Sequence, residues 1–114
     1  MPEKTLFQKI ADKEIPADLV YEDDQAVAFR DINPAAPVHI LVIPREPIPS
    51  VDDIQPGQEE LIGKLVTIAK SLAVSEGLSN GYRLVVNCGK DGQQTVPHLH
   101  VHLIGGRKMS WPPG

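Results

Sequence analysis

Residues 98 to 102 read His98-Leu99-His100-Val101-His102, and Leu103 and Ile104 follow. An alternation of period two belongs to a β-strand, whose successive side chains point to opposite faces, and not to a helix with its longer repeat. His98, His100 and His102 therefore share one face, and Leu99, Val101 and Leu103 the other. The aliphatic face has to be anchored in a core, so this strand fixes where one layer of the fold meets another. Packing gives no reason for three imidazoles on the opposite face. They titrate near neutral pH and can act as nucleophile, base or acid.

The rest of the chain supplies elements around that strand. Thr5-Leu6-Phe7-Gln8 has the spacing of a capping box, which predicts a short helix near Thr5 with Leu6, Phe7 and Ile10 as its apolar stripe and Pro16 as its limit. Leu19–Glu22 and Gln25–Arg30, separated by Asp23-Asp24, read as a hairpin. Val38–Ile43 is a β-branched segment closed by Pro44 and reads as a buried strand, with His39 on the face of Leu41 and Ile43. Residues 44–56 read as an irregular loop. Gln58–Glu76 carries Leu61, Leu65, Ile68 and Leu72 beside Ile62, Val66, Ala69 and Ala73, the wide stripe of one long helix. Glu59 and Glu60 suit its N-terminal end and Gly77 its stop. Tyr82–Asn87 reads as a strand, 89–97 as a polar loop rich in Gly and Gln, and Gly105-Gly106 as the end of the histidine strand. Hairpins with helices interspersed and no βαβ alternation predict an α+β fold, a mostly antiparallel sheet of about five strands with one long helix and one short N-terminal one.

The chain has 114 residues, 41% of them hydrophobic and 23% charged, which fits a single domain spanning residues 1–114. Its net charge of −4 argues against bulk nucleic-acid binding, which requires a basic surface, but not against one small phosphate ligand. Cys88 is the only cysteine, so no disulfide closes within the chain and a reducing, cytoplasmic setting is expected. The longest aliphatic run, Ile40–Ile43, is far short of a membrane span, and charges throughout the first fifteen residues are unlike a secretory signal core.

Three readings compete for the histidine row. In a metal site, adjacent members could converge on one ion, but His98 and His102, about 13.5 Å apart along a strand, could not both reach it without bending the strand. Cys88 and His39 are the only further soft ligands, and the spacing matches no recognised zinc signature, so no metal is expected. Plain core or surface histidines would suit one imidazole better than three in register. Nucleophilic catalysis uses all three, because a neutral imidazole attacks phosphorus or carbonyl carbon and its neighbours orient it, hold phosphate oxygens or assist the leaving group. His100, flanked on both sides, is the natural nucleophile.

The run His98 to Ile104 is similar to the His-φ-His-φ-His-φ-φ signature (φ is hydrophobic) of the histidine triad superfamily. Phe29-Arg30-Asp31-Ile32-Asn33-Pro34, Pro37-Val38-His39-Ile40-Leu41-Val42-Ile43-Pro44, Gly81-Tyr82-Arg83, Val85-Val86-Asn87, Gly105-Gly106-Arg107 and Trp111-Pro112-Pro113-Gly114 extend that likeness over nearly the whole chain, toward the histidine triad nucleotide-binding branch. The resemblance implies a homodimeric hydrolase of purine nucleoside phosphoramidates, such as adenosine 5′-monophosphoramidate, that needs no cofactor. It implies a covalent nucleotidyl intermediate on His100, with His98 and His102 sharing support and leaving-group contact in an order the sequence leaves open, and His39 as a partner of the triad. Asp31 would hold the ribose. Phe29, Ile32 and Leu41, with Leu6 and Phe7, would line the base pocket. Asn87 would contact phosphate or ribose, and Gln93, Gln94 and Thr95 would form the phosphate loop. Gln93 stands where well-known relatives carry glycine, Thr95 replaces a serine, Cys88 an acidic residue and Pro97 an aromatic one. A purine nucleotide sensor with vestigial hydrolysis, or a nucleotidyl transferase, would share most of these residues.

Overall fold

The computed structural model describes residues 3–114, and in them five strands form one antiparallel sheet with a helix against each face. The elements in chain order are α1 (Leu6–Ala11), β1 (Leu19–Glu22), β2 (Ala26–Arg30), β3 (Val38–Pro44), a 3₁₀ turn (Val51–Asp53), α2 (Glu59–Ser75), β4 (Tyr82–Val85) and β5 (Val101–Gly105). The sheet order is β1-β2-β3-β5-β4, and every neighbouring pair is antiparallel, so the α+β expectation holds.

The two-residue alternation distributes side chains between two cores. On one face Ala26, Ala28, Ile40, Val42, Leu99, Val101 and Leu103 meet Leu65, Ile68, Ala69, Leu72 and Ala73 of α2. Leu65 and Leu103 are completely buried there, each burial stabilising the fold by roughly 1.5–3 kcal/mol relative to exposure. On the other face Val27, Phe29, Leu41 and Ile43 meet Phe7, Ile10 and Ala11 of α1, a much smaller cluster. The helix expected near Thr5 is capped as its sequence requires, the Thr5 hydroxyl accepting the Gln8 N–H while the Gln8 side chain accepts the Thr5 N–H.

α2 is held at its far end by charge as well as packing. Its last residues run into Glu76, whose carboxylate accepts two hydrogen bonds from the Arg30 guanidinium of β2 at 2.7 and 3.0 Å. That fork pins the helix to the sheet and keeps the Glu76 carboxyl below its usual range.

Several element ends differ from the sequence expectation. The histidine strand was expected to begin at His98 but pairs only from Val101. Extending the register would place Leu99 opposite Pro44, which has no N–H to give, and the Leu99 N–H bonds instead to the Ile48 carbonyl at 2.7 Å. Pro44 does not close β3 but belongs to it, pairing with Ala26 of β2. β4 stops at Val85 rather than Asn87, and the segment expected to be irregular throughout residues 44–56 contains the 3₁₀ turn.

Candidate active site

His102 lies on β5 between Leu41 of β3 and Val85 of β4, and His39 stands diagonally across from it on β3. His98 and His100 precede the strand, yet their rings stay on the α1 side. Phe7 packs edge-on against His100 at 4.9 Å between centroids and against His98 at 6.1 Å, and the rings of His100 and His102 are 4.8 Å apart. The shared imidazole face therefore survives although the regular strand covers only part of the row.

Hydrogen-bond partners assign the proton positions on each ring. His98 Nε2 lies 2.8 Å from the Pro44 carbonyl, a pure acceptor, so Nε2 carries the hydrogen and donates it. His98 Nδ1 is then bare and faces the Thr5 hydroxyl at 2.9 Å. His100 Nδ1 donates to the carbonyl of His98 at 2.8 Å, which leaves His100 Nε2 as a free lone pair. On the other side the Ala35 N–H donates to His39 Nδ1 at 3.0 Å, so His39 Nε2 carries the hydrogen and points it at His102 Nδ1, 2.9 Å away. His102 in turn keeps its hydrogen on Nε2. The two members that sequence alone could not separate are thus different. Both nitrogens of His98 are spent on the protein, whereas the His102 Nε2–H is spent on none of these groups.

Burial favours the uncharged rings throughout. His98 is fully buried, and desolvation holds it below the ordinary histidine value despite its carbonyl partner. His100 is lowered for the same reason, and His102 is pushed down to about 4 by burial, with His100 and His39 adding to the effect. At neutral pH these three rings of the row are neutral, so His100 presents an unprotonated Nε2.

The remaining candidates fall into three groups. Asp31 follows β2 and reaches the row: its Oδ1 accepts the Asn33 N–H at 2.8 Å in a local turn, and its Oδ2 lies 3.5 Å from His39 Nε2. It therefore serves the turn and faces the site at once. Phe29 and Leu41 are buried beneath the row beside Phe7, while Ile32 is 90% exposed. Asn87, Gln93, Gln94 and Thr95 come together in a loop. The Asn87 amide donates to the Gly92 carbonyl at 2.7 Å, and the Gln94 side chain accepts the Gly89 N–H and donates to the carbonyls of Pro49 and Val96. Those two amides build the loop. Gln93 and Thr95 stay exposed and, with Ser50, Asp52, Cys88 and Lys90, line a cavity of about 500 Å³ that none of the four histidines borders. Gln93 adopts φ +61°, the left-handed region that glycine favours.

Asp31, His39 and His102 each present a ligand atom within 4.8 Å of the others, so that His39 and one member of the row, both candidates from sequence, are joined by Asp31 and not by Cys88. Here a His39–His102 hydrogen bond already occupies that space. Sequence reasoning missed the Pro44 carbonyl and the Ala35 N–H, which have no side-chain signature, and saw Thr5 only as a helix cap.

Comparison with known proteins agrees with this fold. The HIT domain family matches residues 12–109. An uncharacterized HIT-like protein of Synechococcus elongatus is 54% identical over 114 residues, all of both chains. The crystal structure of a HIT family hydrolase from Legionella pneumophila superposes with a TM-score of 0.95 at 50% identity, covering 97% of this chain and 100% of that one. A histidine triad nucleotide-binding protein from Candida albicans gives 0.81 at 27% identity, over 97% of this chain and 85% of its own. With its triad, His39 and sheet order in place, this chain belongs to the histidine triad (HIT) domain family.

Proposed function

We propose that the chain is a hydrolase cleaving the P–N bond of purine nucleoside 5′-phosphoramidates, with His100 as nucleophile. The observation that carries this is the His100 ring itself: buried, neutral, hydrogen-bonded through Nδ1 to the His98 carbonyl, and bare at Nε2. Attack by Nε2 on phosphorus forms a P–N bond to the enzyme and breaks the substrate's own P–N bond. The amine departs with that bond's electron pair and one proton taken up from solvent. Water then attacks phosphorus, returns one proton to solvent, frees His100 and leaves the nucleoside monophosphate. Positive charge grows on the His100 ring during attack, and the carbonyl dipole at Nδ1–H is already aimed to stabilise it. His102, with an outward Nε2–H, takes the leaving-group side, and His98, with both nitrogens engaged, is the support.

The named activities of similar proteins, a hydrolase and a nucleotide-binding protein, support this reading. Asp31 is assigned to the ribose hydroxyls and Thr95 with the 93–95 backbone to the α-phosphate. The chain is also read as a homodimer, because β4 is a free sheet edge flanked by exposed Tyr82, Val86 and Trp111. Unpaired Cys88 fits a reducing, cytoplasmic setting.

The test is release of AMP from adenosine 5′-monophosphoramidate, with rapid-quench mass spectrometry on a slow analogue. A nucleotidyl adduct on His100 is the expected result. Turnover without any adduct on that side chain overturns the mechanism, and sedimentation as a monomer at micromolar concentration overturns the dimer.

A further inference from the structure

The three residues from His98 to His100 lie before the ladder of β5, and the peptide whose carbonyl orients His100 is held outside it by the Leu99 N–H on the Ile48 carbonyl at 2.7 Å. The His98 ring is tied as well, and one tie comes from α1. Thr5 Oγ1 accepts the Gln8 N–H at 3.1 Å and lies 2.9 Å from His98 Nδ1, a residue 93 positions away. With Nε2–H donated to Pro44, Nδ1 can only accept, so the Thr5 hydroxyl gives its proton there while its oxygen holds the cap. One side chain closes both the helix and the site.

We propose that Thr5 is a positioning residue for the reaction: its hydroxyl clamps the His98 ring and thereby holds the carbonyl that presents His100. The inference rests on the reading of His100 as nucleophile. Among the described residues no fixed charge competes in this corner. α1 presents Thr5 and Phe7 to the ring, β3 presents the Pro44 carbonyl, and the ionisable neighbour acting on His98 is His100.

Substitutions at position 5 separate the clamp from the cap. Aspartate caps a helix as well as threonine does, but it only accepts. In Thr5→Asp the ring is held only while Nδ1 carries a second proton, and the new carboxylate raises the pH at which His98 titrates. With adenosine 5′-monophosphoramidate at saturation, Thr5→Val lowers kcat about tenfold at every pH. Thr5→Asp acquires a new basic limb, with kcat falling about tenfold as His98 loses that proton. Thr5→Ser restores the parent profile. Long-range ¹H–¹⁵N spectra show His98 as the neutral Nε2–H form in the parent and in Thr5→Ser, and as the doubly protonated form at neutral pH in Thr5→Asp.

Profiles of Thr5→Val and Thr5→Asp that superimpose on the parent reduce Thr5 to a cap and overturn the proposal. So does a parent spectrum with the hydrogen on Nδ1. If the parent leaves the substrate intact, or His100→Ala cleaves it, the nucleophile reading falls and the catalytic half of this proposal falls with it. The spectra need no turnover and still decide whether Thr5 clamps His98.

Discussion

On the α2 side of the sheet, aliphatic side chains from β2, β3, β5 and the segment before β5 interlock with one helix of 17 residues. On the α1 side, a helix of six residues covers only part of the sheet, and the rest of that face carries His39, His98, His100 and His102. The same strands make both faces, because each step along a strand switches sides. Leu99, Val101 and Leu103 secure the backbone from below, and the imidazoles between them inherit that rigidity, with His98 and His100 themselves buried beside Phe7. The contrast teaches that along this row the odd positions serve the larger core and the even ones the chemistry.

The largest effect should come from the chemical face. His100→Ala removes the nitrogen proposed to attack and lowers kcat by about ten-thousand-fold, with the thermal midpoint moving only a few degrees, as steady-state assays and calorimetry would show. If that variant melts far below the parent, the imidazole face is part of the structural core and the separation fails. On the opposite face Leu65→Ala costs about 3 kcal/mol in urea unfolding, since Leu65 is completely buried, yet kcat measured well below the transition stays within twofold.

Acid should join the two faces. His98, His100 and His102 all titrate below an unfolded histidine, so between the ordinary value near 6.5 and the His102 value of about 4 the unfolded chain binds more protons. Stability is complete above that window and falls as pH drops through it, His102 losing its contribution on the way down to about pH 4. Chemical denaturation across pH 7 to 4 checks the sign, and a stability that rises on acidification would contradict the buried neutral rings. The acid limb of kcat should also lie below the ordinary histidine value. The most local effect is expected at Gly92, where an added Cβ would clash with the backbone carbonyl of Cys88, so that the loop itself must shift. Gly92→Ala costs about 1–3 kcal/mol and raises KM a few-fold, by displacing the loop that Asn87 holds.

What the sequence made legible follows from how local each signal is. The period of two from His98 to Leu103 assigned both faces correctly, and Thr5-x-x-Gln8 marked a cap that is present in full. The start of β5 was not legible, because it depends on Pro44, a residue of another strand that offers no N–H. The different duties of His98 and His102 were likewise hidden. They are set by a carbonyl at Pro44, a hydroxyl at Thr5, an amide at Ala35 and the ring of His39, partners brought together only by the sheet.

The brevity of α1 has one more consequence. Six residues cannot sustain a helix in water, so α1 persists only while Phe7, Ile10 and Ala11 stay docked. Undocking it exposes far less surface than melting the α2 side, and native-state amide exchange near Gln8 and Lys9 will run ahead of exchange in β3. Gentle warming will therefore silence the assay before circular dichroism registers any loss of fold.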